Sequence, residues 1–303
     1  HAGREGAPAT AHGTVTAVHR NGIEIDGQPA RLGSDLVLDP GMRPVVGDEV
    51  GFVSTDGPPR AVSVLPRRTV IARPDPGNPH ARLVLAANVD VAVIVVAARD
   101  PAPRPGLIDR YLVALHRSGI EALVTANKID LLDADGRAAL AGLLAPYPEL
   151  GVAVLRCSAD TGEGMDLLRE RLRGRTAVFL GHSGVGKSSL LNALDPQGQR
   201  RIGDVRAYDG KGRHTTTGAA MRRLSDGLAV IDTPGVREFG LAALTPAELG
   251  EAFPEFAPHA GGCRHRDCSH LHEPLCGVRA AVAAGHVPAA RYASYLRMLT
   301  ADQ

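Results

Sequence analysis

Three short motifs in this chain have the residue types and spacing of a site for phosphates and a purine base. They are Asn127-Lys128-Ile129-Asp130, then Gly181-His182-Ser183-Gly184-Val185-Gly186-Lys187-Ser188-Ser189, then Asp232-Thr233-Pro234-Gly235. Backbone N–H groups in a glycine-rich loop can point at phosphate oxygens, and a lysine adds positive charge there. Together the motifs predict a nucleotide site that also binds Mg²⁺.

The second motif is a phosphate loop, because it follows an apolar predicted strand and opens a predicted helix. The N-terminus of that helix contributes partial positive charge. Lys187 is expected to contact the β- and γ-phosphates, and the Ser188 hydroxyl is expected to ligate Mg²⁺. The alternative is a chance turn in a chain with 35 glycines. That alternative leaves the flanking strand and helix unexplained.

Lysine usage supports this interpretation. Only three of the 34 basic residues are lysines, namely Lys128, Lys187 and Lys211. Two of them lie in the motifs above, at positions where a planar guanidinium does not replace a flexible ammonium.

The first motif predicts selection of guanine. The Asp130 carboxylate can accept hydrogen bonds from the N1–H and N2–H₂ groups of guanine, a donor pair that adenine lacks. The Lys128 stem can cover the base, and Asn127 can bridge this loop to the phosphate loop. Ser158-Ala159 follows the next predicted strand, so the Ala159 N–H can donate to guanine O6. The alternative is a solvated loop at the end of a strand.

The third motif predicts contacts at the γ-phosphate. Asp232 suits a water-mediated Mg²⁺ contact, and the Gly235 N–H suits the γ-phosphate. The preceding segment contains Gly212-Arg213-His214-Thr215-Thr216-Thr217. Thr215 or Thr216 is expected to ligate Mg²⁺. Residues 200–223 carry seven cations and two acids, which suits RNA phosphates; the alternative is a solvated basic loop.

The catalytic prediction concerns the attacking water. Ras-type GTPases place a glutamine after Asp-x-x-Gly to orient that water, whereas this chain has Val236. We therefore expect slow unaided turnover, with His214 as the candidate for positioning water. Lys187 and Gly235 are expected to stabilise the phosphate charge.

A Cys/His cluster near the C-terminus predicts a metal site. Cys263, Cys268, His270 and Cys276 fall within 14 residues, which suits tetrahedral Zn²⁺ in a closed structural site. His272 is the main rival to His270. The alternative is three reduced cysteines without a metal.

Composition and patterning predict three domains. Residues 1–73 contain short β-prone runs typical of a small barrel, and residues 74–79 have linker composition. Residues 74–241 alternate strands and helices, as in a doubly wound α/β domain, and residues 242–303 form a helical, metal-binding part. The net charge of +1 by itself argues neither for nor against nucleic-acid binding. No apolar run reaches the roughly 18–20 residues of a membrane span, and the clustered cysteines favour a reducing cytosol.

The order of the motifs is unusual, because Asn-Lys-x-Asp normally follows the other two. A parallel sheet tolerates this permutation, since each strand-helix unit delivers its loop to the same edge. These features resemble the ribosome-small-subunit-dependent GTPase A family of circularly permuted bacterial GTPases. The resemblance also rests on Val45-Val46-Gly47-Asp48, Leu65-Pro66-Arg67, Ala86-Ala87-Asn88-Val89-Asp90 and Cys268-x-His270-x-x-Glu273-Pro274-x-Cys276.

The resemblance implies an N-terminal OB-fold, a permuted GTPase domain and a zinc domain. It further implies a cytoplasmic GTPase that binds the small ribosomal subunit and 16S rRNA late in subunit maturation, with hydrolysis stimulated by that subunit. We expect no membrane partner and a monomer off the ribosome. Two rivals remain: an adenine-using P-loop enzyme with an incidental zinc module, and a nucleotide-gated RNA-binding protein whose turnover is irrelevant.

Overall fold

The structure is a computed structural model, and the fold divides into two compact units. It describes residues 10–19, 22–33, 36, 43–54, 56–75, 78–195, 219–224, 226–232 and 244–301. The first unit comprises His1–Asp90, Leu172–Val178 and Arg200–Arg237, and the second comprises Val91–Arg171, Phe179–Gln199 and Glu238–Gln303.

A small β-barrel forms the N-terminal part of the first unit. Its strands are β1 (Ala11–His19), β2 (Gly22–Ile25), β3 (Gln28–Leu32), β4 (Glu49–Val53) and β5 (Arg60–Val64). They pair in the closed order β1-β2-β3-β5-β4-β1, in which only the β3–β5 pair is parallel. Inward-facing aliphatic side chains, among them Val15, Ile23 and Val50, fill the interior. This is the five-stranded barrel of the OB-fold type.

A long β-ribbon follows the barrel. Its strands are β6 (Val70–Asp75) and β7 (Asn78–Ala87), which pair antiparallel. The prediction of a linker at residues 74–79 is therefore wrong at residues 74–75 and 78–79, which lie in these two strands. Pro74 and Pro79 lie near the turn end of this ribbon, where a proline on an edge strand costs little.

The barrel continues into further strands of the first unit. These are β12 (Ala220–Arg223), β13 (Ala229–Asp232) and the first three residues of β11 (Thr176–Leu180). β1 pairs with β12 at Ala17 and Ala220, β12 runs antiparallel to β13, and β13 runs parallel to β11.

The second unit contains a parallel sheet covered by helices. Its strands β8 (Val91–Ala97), β9 (Glu121–Asn127) and β10 (Ala153–Arg156) pair in the order β8-β9-β10. Every residue of β8 is buried, as expected for a strand covered on both faces. Its helices are α1 (Pro105–Leu115), α2 (Ala134–Leu144), α3 (Pro146–Glu149), α4 (Met165–Leu172) and α5 (Lys187–Leu194).

A C-terminal group of helices completes the second unit. They are α6 (Pro246–Glu251), α7 (Ala257–Ala260), α8 (Gly277–Ala283) and α9 (Ala289–Ala301). Their core contains Phe253, Phe256, Val278 and Tyr295, and it includes Val113 of α1. In the described part of the chain, no helix is long and apolar enough to cross a membrane.

Candidate nucleotide site and metal centre

The predicted phosphate loop lies between β11 and α5. Gly181, Gly184 and Gly186 have φ values of 136°, 85° and 92°. A Cβ atom at Gly181 would lie 2.4 Å from the Val95 carbonyl oxygen, and one at Gly186 would lie 2.2 Å from Nδ2 of Asn127. Both positions therefore need glycine for space as well as for backbone conformation.

Several polar groups of the phosphate loop lie near its glycines. Lys187 Nζ donates to the carbonyl oxygens of Gly181 (2.6 Å) and His182 (2.8 Å). α5 has no side-chain cap at Gly186, so its first N–H groups are not used by a capping residue. Ser188 and Ser189 lie in its first turn, and both are exposed, as is Ser183.

Asn127 joins its own loop to the phosphate loop, as the sequence predicted, and it also joins both to the Ser158 loop. It ends β9 and is 2% exposed. Its Nδ2 donates to the Val185 carbonyl (3.1 Å), and its Oδ1 accepts from the Ala159 N–H (3.1 Å). Guanine O6 would therefore have to share the Ala159 donor with Asn127.

The two residues expected to contact the base lie beside Asn127. Lys128 adopts a φ of 66° and donates from Nζ to the Asp100 carbonyl at 2.5 Å. Asp130 lies in a 3-10 turn, Ile129–Leu131. Its Oδ1 is buried and has no hydrogen-bond partner among the described residues. An orphaned buried acceptor is costly unless a ligand supplies the donor, so the Asp130 side chain fits a base with paired donors.

The Ser158 loop is held by its own hydrogen bonds. Ser158 is fully buried, and its Oγ accepts from the N–H groups of Asp160 (3.2 Å) and Thr161 (3.1 Å). Its N–H donates to the Glu163 carbonyl (2.8 Å). This loop therefore presents Ala159 in a fixed conformation.

The remaining predicted nucleotide contacts are only partly described. Asp232 is the last residue of β13, in the first unit, and it is exposed. His214, Thr215, Thr216, Gly235 and Val236 lie outside the described residues.

The predicted metal ligands converge. The ligand atoms of Cys263, Cys268, His270 and Cys276 all lie within 4.8 Å of one another. His270 Nδ1 is 3.6 Å from Sγ of Cys263 and 3.4 Å from Sγ of Cys276. The rival ligand His272 is exposed and outside this group. Three thiols and one imidazole at these separations fit a single tetrahedral ion of the zinc type.

Groups behind the ligands fix the metal-binding loop. The Glu273 carboxylate accepts from Ser269 N and Oγ (both 2.6 Å), from Leu271 N (3.0 Å) and from His272 N (3.2 Å). Burial alone would raise the pKa of Glu273, but these hydrogen bonds outweigh it and lower the pKa to about 2. Tyr292 and Tyr295 donate to the carbonyls of His270 and Ser269, each at 2.6 Å.

A buried ion cluster joins the C-terminal helices to α1. Arg291 of α9 is 3% exposed and donates to Asp109 Oδ1 (2.7 Å) and Glu255 Oε1 (2.7 Å). Tyr147 also donates to Asp109 Oδ1 (3.0 Å). Burial and the Asp109 carboxylate raise the pKa of Tyr147, which keeps its hydroxyl a donor. This cluster was not predicted, because no local sequence pattern marks it.

The fold and these loops define a P-loop GTPase whose strands are circularly permuted. Residues 64–242 match the RsgA GTPase family. The chain is 43% identical over 256 residues to the small ribosomal subunit biogenesis GTPase RsgA of Pseudomonas fluorescens, covering 84% of this chain and 74% of that protein. It is 44% identical over 252 residues to the protein of the same name from Chromohalobacter salexigens, covering 83% and 73%.

Two solved structures are similar. YjeQ from Thermotoga maritima has a TM-score of 0.78 and 31% identity, covering 96% of this chain and 98% of its own. YloQ, described as a circularly permuted GTPase, has a TM-score of 0.75 and 26% identity, covering 99% and 98%. The chain belongs to the RsgA GTPase family and is a GTP hydrolase. The predicted fold class and family are confirmed.

Proposed function

We propose that this GTPase acts in biogenesis of the small ribosomal subunit, binding that subunit and 16S rRNA in the cytoplasm. The support is its membership of a family in which the two relatives described above carry that role in their names. In this proposal residues 1–73 form an RNA-binding barrel, residues 74–241 form the GTPase domain, and residues 242–303 form the zinc domain. The protein is a monomer away from the ribosome.

The arrangement that carries the nucleotide assignment is the meeting of three loops at Asn127. One side chain hydrogen-bonds both the phosphate loop and the Ser158 loop, and Asp130 offers a buried acceptor without a donor. In this assignment Asp130 accepts from guanine, Lys128 covers the base and Ala159 donates to O6. Ser188 ligates Mg²⁺, which neutralises developing charge when bound.

Hydrolysis requires a water oxygen to attack the γ-phosphorus while the bond to the β-phosphate oxygen breaks. Lys187 supplies a fixed positive charge for the phosphate oxygens, a preorganised electrostatic contribution. Val236 supplies no group that can orient water. In our proposal the docked subunit completes the site by seating His214, so that turnover is fast only on the ribosome.

The metal centre holds one Zn²⁺ in a structural role. Its three thiols and one imidazole complete a tetrahedral shell, which leaves no position for a substrate. The metal stabilises the short loop between α7 and α8, which carries little apolar core of its own.

Sedimentation with purified subunits tests the proposed partner. We expect the GTPase to sediment with small subunits in a non-hydrolysable GTP analogue and much less in GDP, and not to sediment with large subunits. Single-turnover hydrolysis should rise by orders of magnitude with small subunits, and His214→Ala should remove most of that gain. Equal turnover without ribosomes would contradict the proposal.

A further inference from the structure

An ion pair links the two loops assigned to guanine recognition. Arg137 lies in the first turn of α2, directly after the Asp130 turn. Its Nη1 donates to Glu163 Oε1 at 2.6 Å, and its Nη2 donates to Glu163 Oε2 at 2.9 Å. Two parallel hydrogen bonds fix direction as well as distance.

The Arg137 side of this pair is anchored by helix capping. Asp133 is the N-cap of α2, and its side chain accepts from the Gly136 N–H at 2.8 Å. The Arg137 N–H donates to the Asp133 carbonyl at 2.9 Å. These bonds fix the Arg137 backbone within a helix whose N-cap, Asp133, lies two residues beyond the end of the Asp130 turn.

The Glu163 side controls the loop that carries Ala159. The Glu163 carbonyl accepts the Ser158 N–H at 2.8 Å, so Glu163 closes the turn that begins at Ser158. The next residue packs closely against the Arg156 backbone and must be glycine, because a Cβ at Gly164 would lie 2.2 Å from the Arg156 carbonyl oxygen. Holding the Glu163 side chain therefore also holds the turn that presents the Ala159 N–H.

Arg137 also interacts electrostatically with the Asp130 carboxylate. Hydrogen bonding to Glu163, together with attraction to Glu163 and Asp130, raises the pKa of Arg137. The guanidinium thus lies in the field of the carboxylate assigned to the guanine N1–H and N2–H₂ groups.

We propose that the Arg137–Glu163 ion pair is a specificity-determining positioning element, which holds the Ala159 loop and the Asp130 turn in the mutual arrangement that guanine requires. The inference rests on the proposed assignment of these loops to the base. Arg137 and Glu163 act through Asp130 and Ala159 and are not catalytic residues.

The exposure of the pair sets the size of the effect. The two side chains are 42% and 49% exposed, and exposed pairs of this kind change an equilibrium by up to about fivefold. We expect that change in guanine nucleotide affinity. It should shrink at about 1 M salt, where the Debye length is about 3 Å.

A double-mutant cycle on the full-length protein tests the inference. Arg137→Ala and Glu163→Ala should each weaken GDP binding about two- to fivefold, and the double variant should be no weaker than the weaker single variant. In steady-state hydrolysis the KM for GTP should rise while kcat stays at the wild-type value. Arg137→Lys keeps one charged contact and should fall between wild type and Arg137→Ala.

Arg171→Ala is the matched control. Arg171 pairs with Glu121 at 2.6 Å with side chains 49% and 37% exposed, and Glu121 begins β9, at the opposite end from Asn127. Arg171→Ala should leave the affinity for GDP unchanged. Unchanged affinity in both single variants, additive losses in the double variant, or an equal loss in Arg171→Ala would overturn the inference.

Asp130→Asn distinguishes a failure of the positioning role from a failure of the base-site assignment. If Asp130→Asn abolishes the preference for GDP over ADP while the Arg137 and Glu163 variants bind GDP normally, the positioning role alone is wrong. If Asp130→Asn keeps that preference, the assignment of the base site is wrong and the inference falls with it.

Discussion

At the scale of single residues, the site is defined by side chains whose hydrogen-bonding groups are either fully used or left for a ligand. Asn127 uses both ends of its amide within the protein. Asp130 keeps one buried oxygen without a donor in the described structure. That contrast supports the proposal that Asn127 has a structural role and Asp130 a recognition role.

Asp130→Asn should weaken binding of GDP and GTP alike. The substitution replaces a charged acceptor with an amide and removes a charge-assisted pair, which is worth about 1.5–3 kcal/mol for each bond to a charged group. Calorimetry with both nucleotides should show the loss. The variant should gain affinity for xanthine nucleotides, because the amide N–H₂ can donate to the carbonyl at C2.

Asp135→Asn is the control for that measurement. Asp135 is exposed in the first turn of α2 and carries the same charge. We expect wild-type affinity in this variant. Unaltered guanine preference in Asp130→Asn would remove Asp130 from base recognition.

Glu273→Gln should loosen the metal centre. Its carboxylate accepts from four groups, and an amide N–H₂ in its place would face donors. Because the folded-state pKa is lowered to about 2, the stabilisation by Glu273 is complete above about pH 4.5 and is lost as the pH falls toward 2. At neutral pH the variant should release zinc to a chelator at least about tenfold faster. Exposed Glu251 offers the control, Glu251→Gln; equal release rates for the two variants would contradict the prediction.

At the scale of elements, the sequence predicted what local spacing determines. The phosphate loop, the Asn127 loop and the four metal ligands each lie within one short segment, so their residue types and spacing suffice. His270 was the predicted ligand with His272 as its rival, and the structure groups His270 with the three cysteines. β6 and β7 were not predicted, because Pro74, Pro76 and Gly77 are typical of a loop and not of a strand.

Ion pairs between residues far apart in the chain could not be predicted from the sequence, for a different reason. Arg137 with Glu163, and Arg291 with Asp109, are separated in the chain and lie on elements whose packing sets their contact. The residues that flank each of these arginines in the chain do not differ in kind from those around any other arginine, so the sequence does not mark the pairs. Sequence reasoning therefore proposed the residues that contact the base but not the residues that we propose position them.

Cys268→Ser should release the zinc and unfold the segment that depends on it. The metal-binding loop also caps a helix, because Cys276 is the N-cap of α8 and its Sγ accepts from the Arg279 N–H at 3.4 Å. We expect zinc content to fall from one ion per chain to none, with rapid proteolysis within residues 258–303.

Cys157→Ala provides the matched control. Cys157 is buried and lies outside the metal group, and burial raises the pKa of its thiol to about 12. This variant should retain its zinc. Wild-type protein that contains no zinc by elemental analysis would overturn the assignment.

At the scale of the whole molecule, each unit is assembled from separated stretches of chain. In the second unit, Arg291 connects α9 to α1 through Asp109, and its guanidinium lies 4.4 Å from the centre of the Phe253 ring. The C-terminal helices are therefore bound to α1 by a buried ionic contact and a shared apolar core.

Arg291→Met should destabilise the second unit strongly. Removing the guanidinium leaves two buried carboxylates without a counter-charge, which typically costs about 3–5 kcal/mol. Urea unfolding of the zinc-loaded protein should show the loss, with the C-terminal helices unfolding first. Arg297→Met, at an exposed position on the same helix, should change stability by less than about 0.5 kcal/mol. Equal stability of the two variants would mean that the cluster contributes nothing.

The pairing of β1 with β12 has a consequence for synthesis of the protein. The five barrel strands all leave the ribosome early, because β5 ends at Val64, whereas the strand that pairs beside Ala17 begins at Ala220. Chains fold vectorially as they emerge, at about 5–20 residues per second. For on the order of ten seconds or more, the segment of β1 that will pair with β12 therefore has no partner strand in the nascent barrel. Such an edge recruits other strands, so the first unit is most open to mispairing before its own chain is complete.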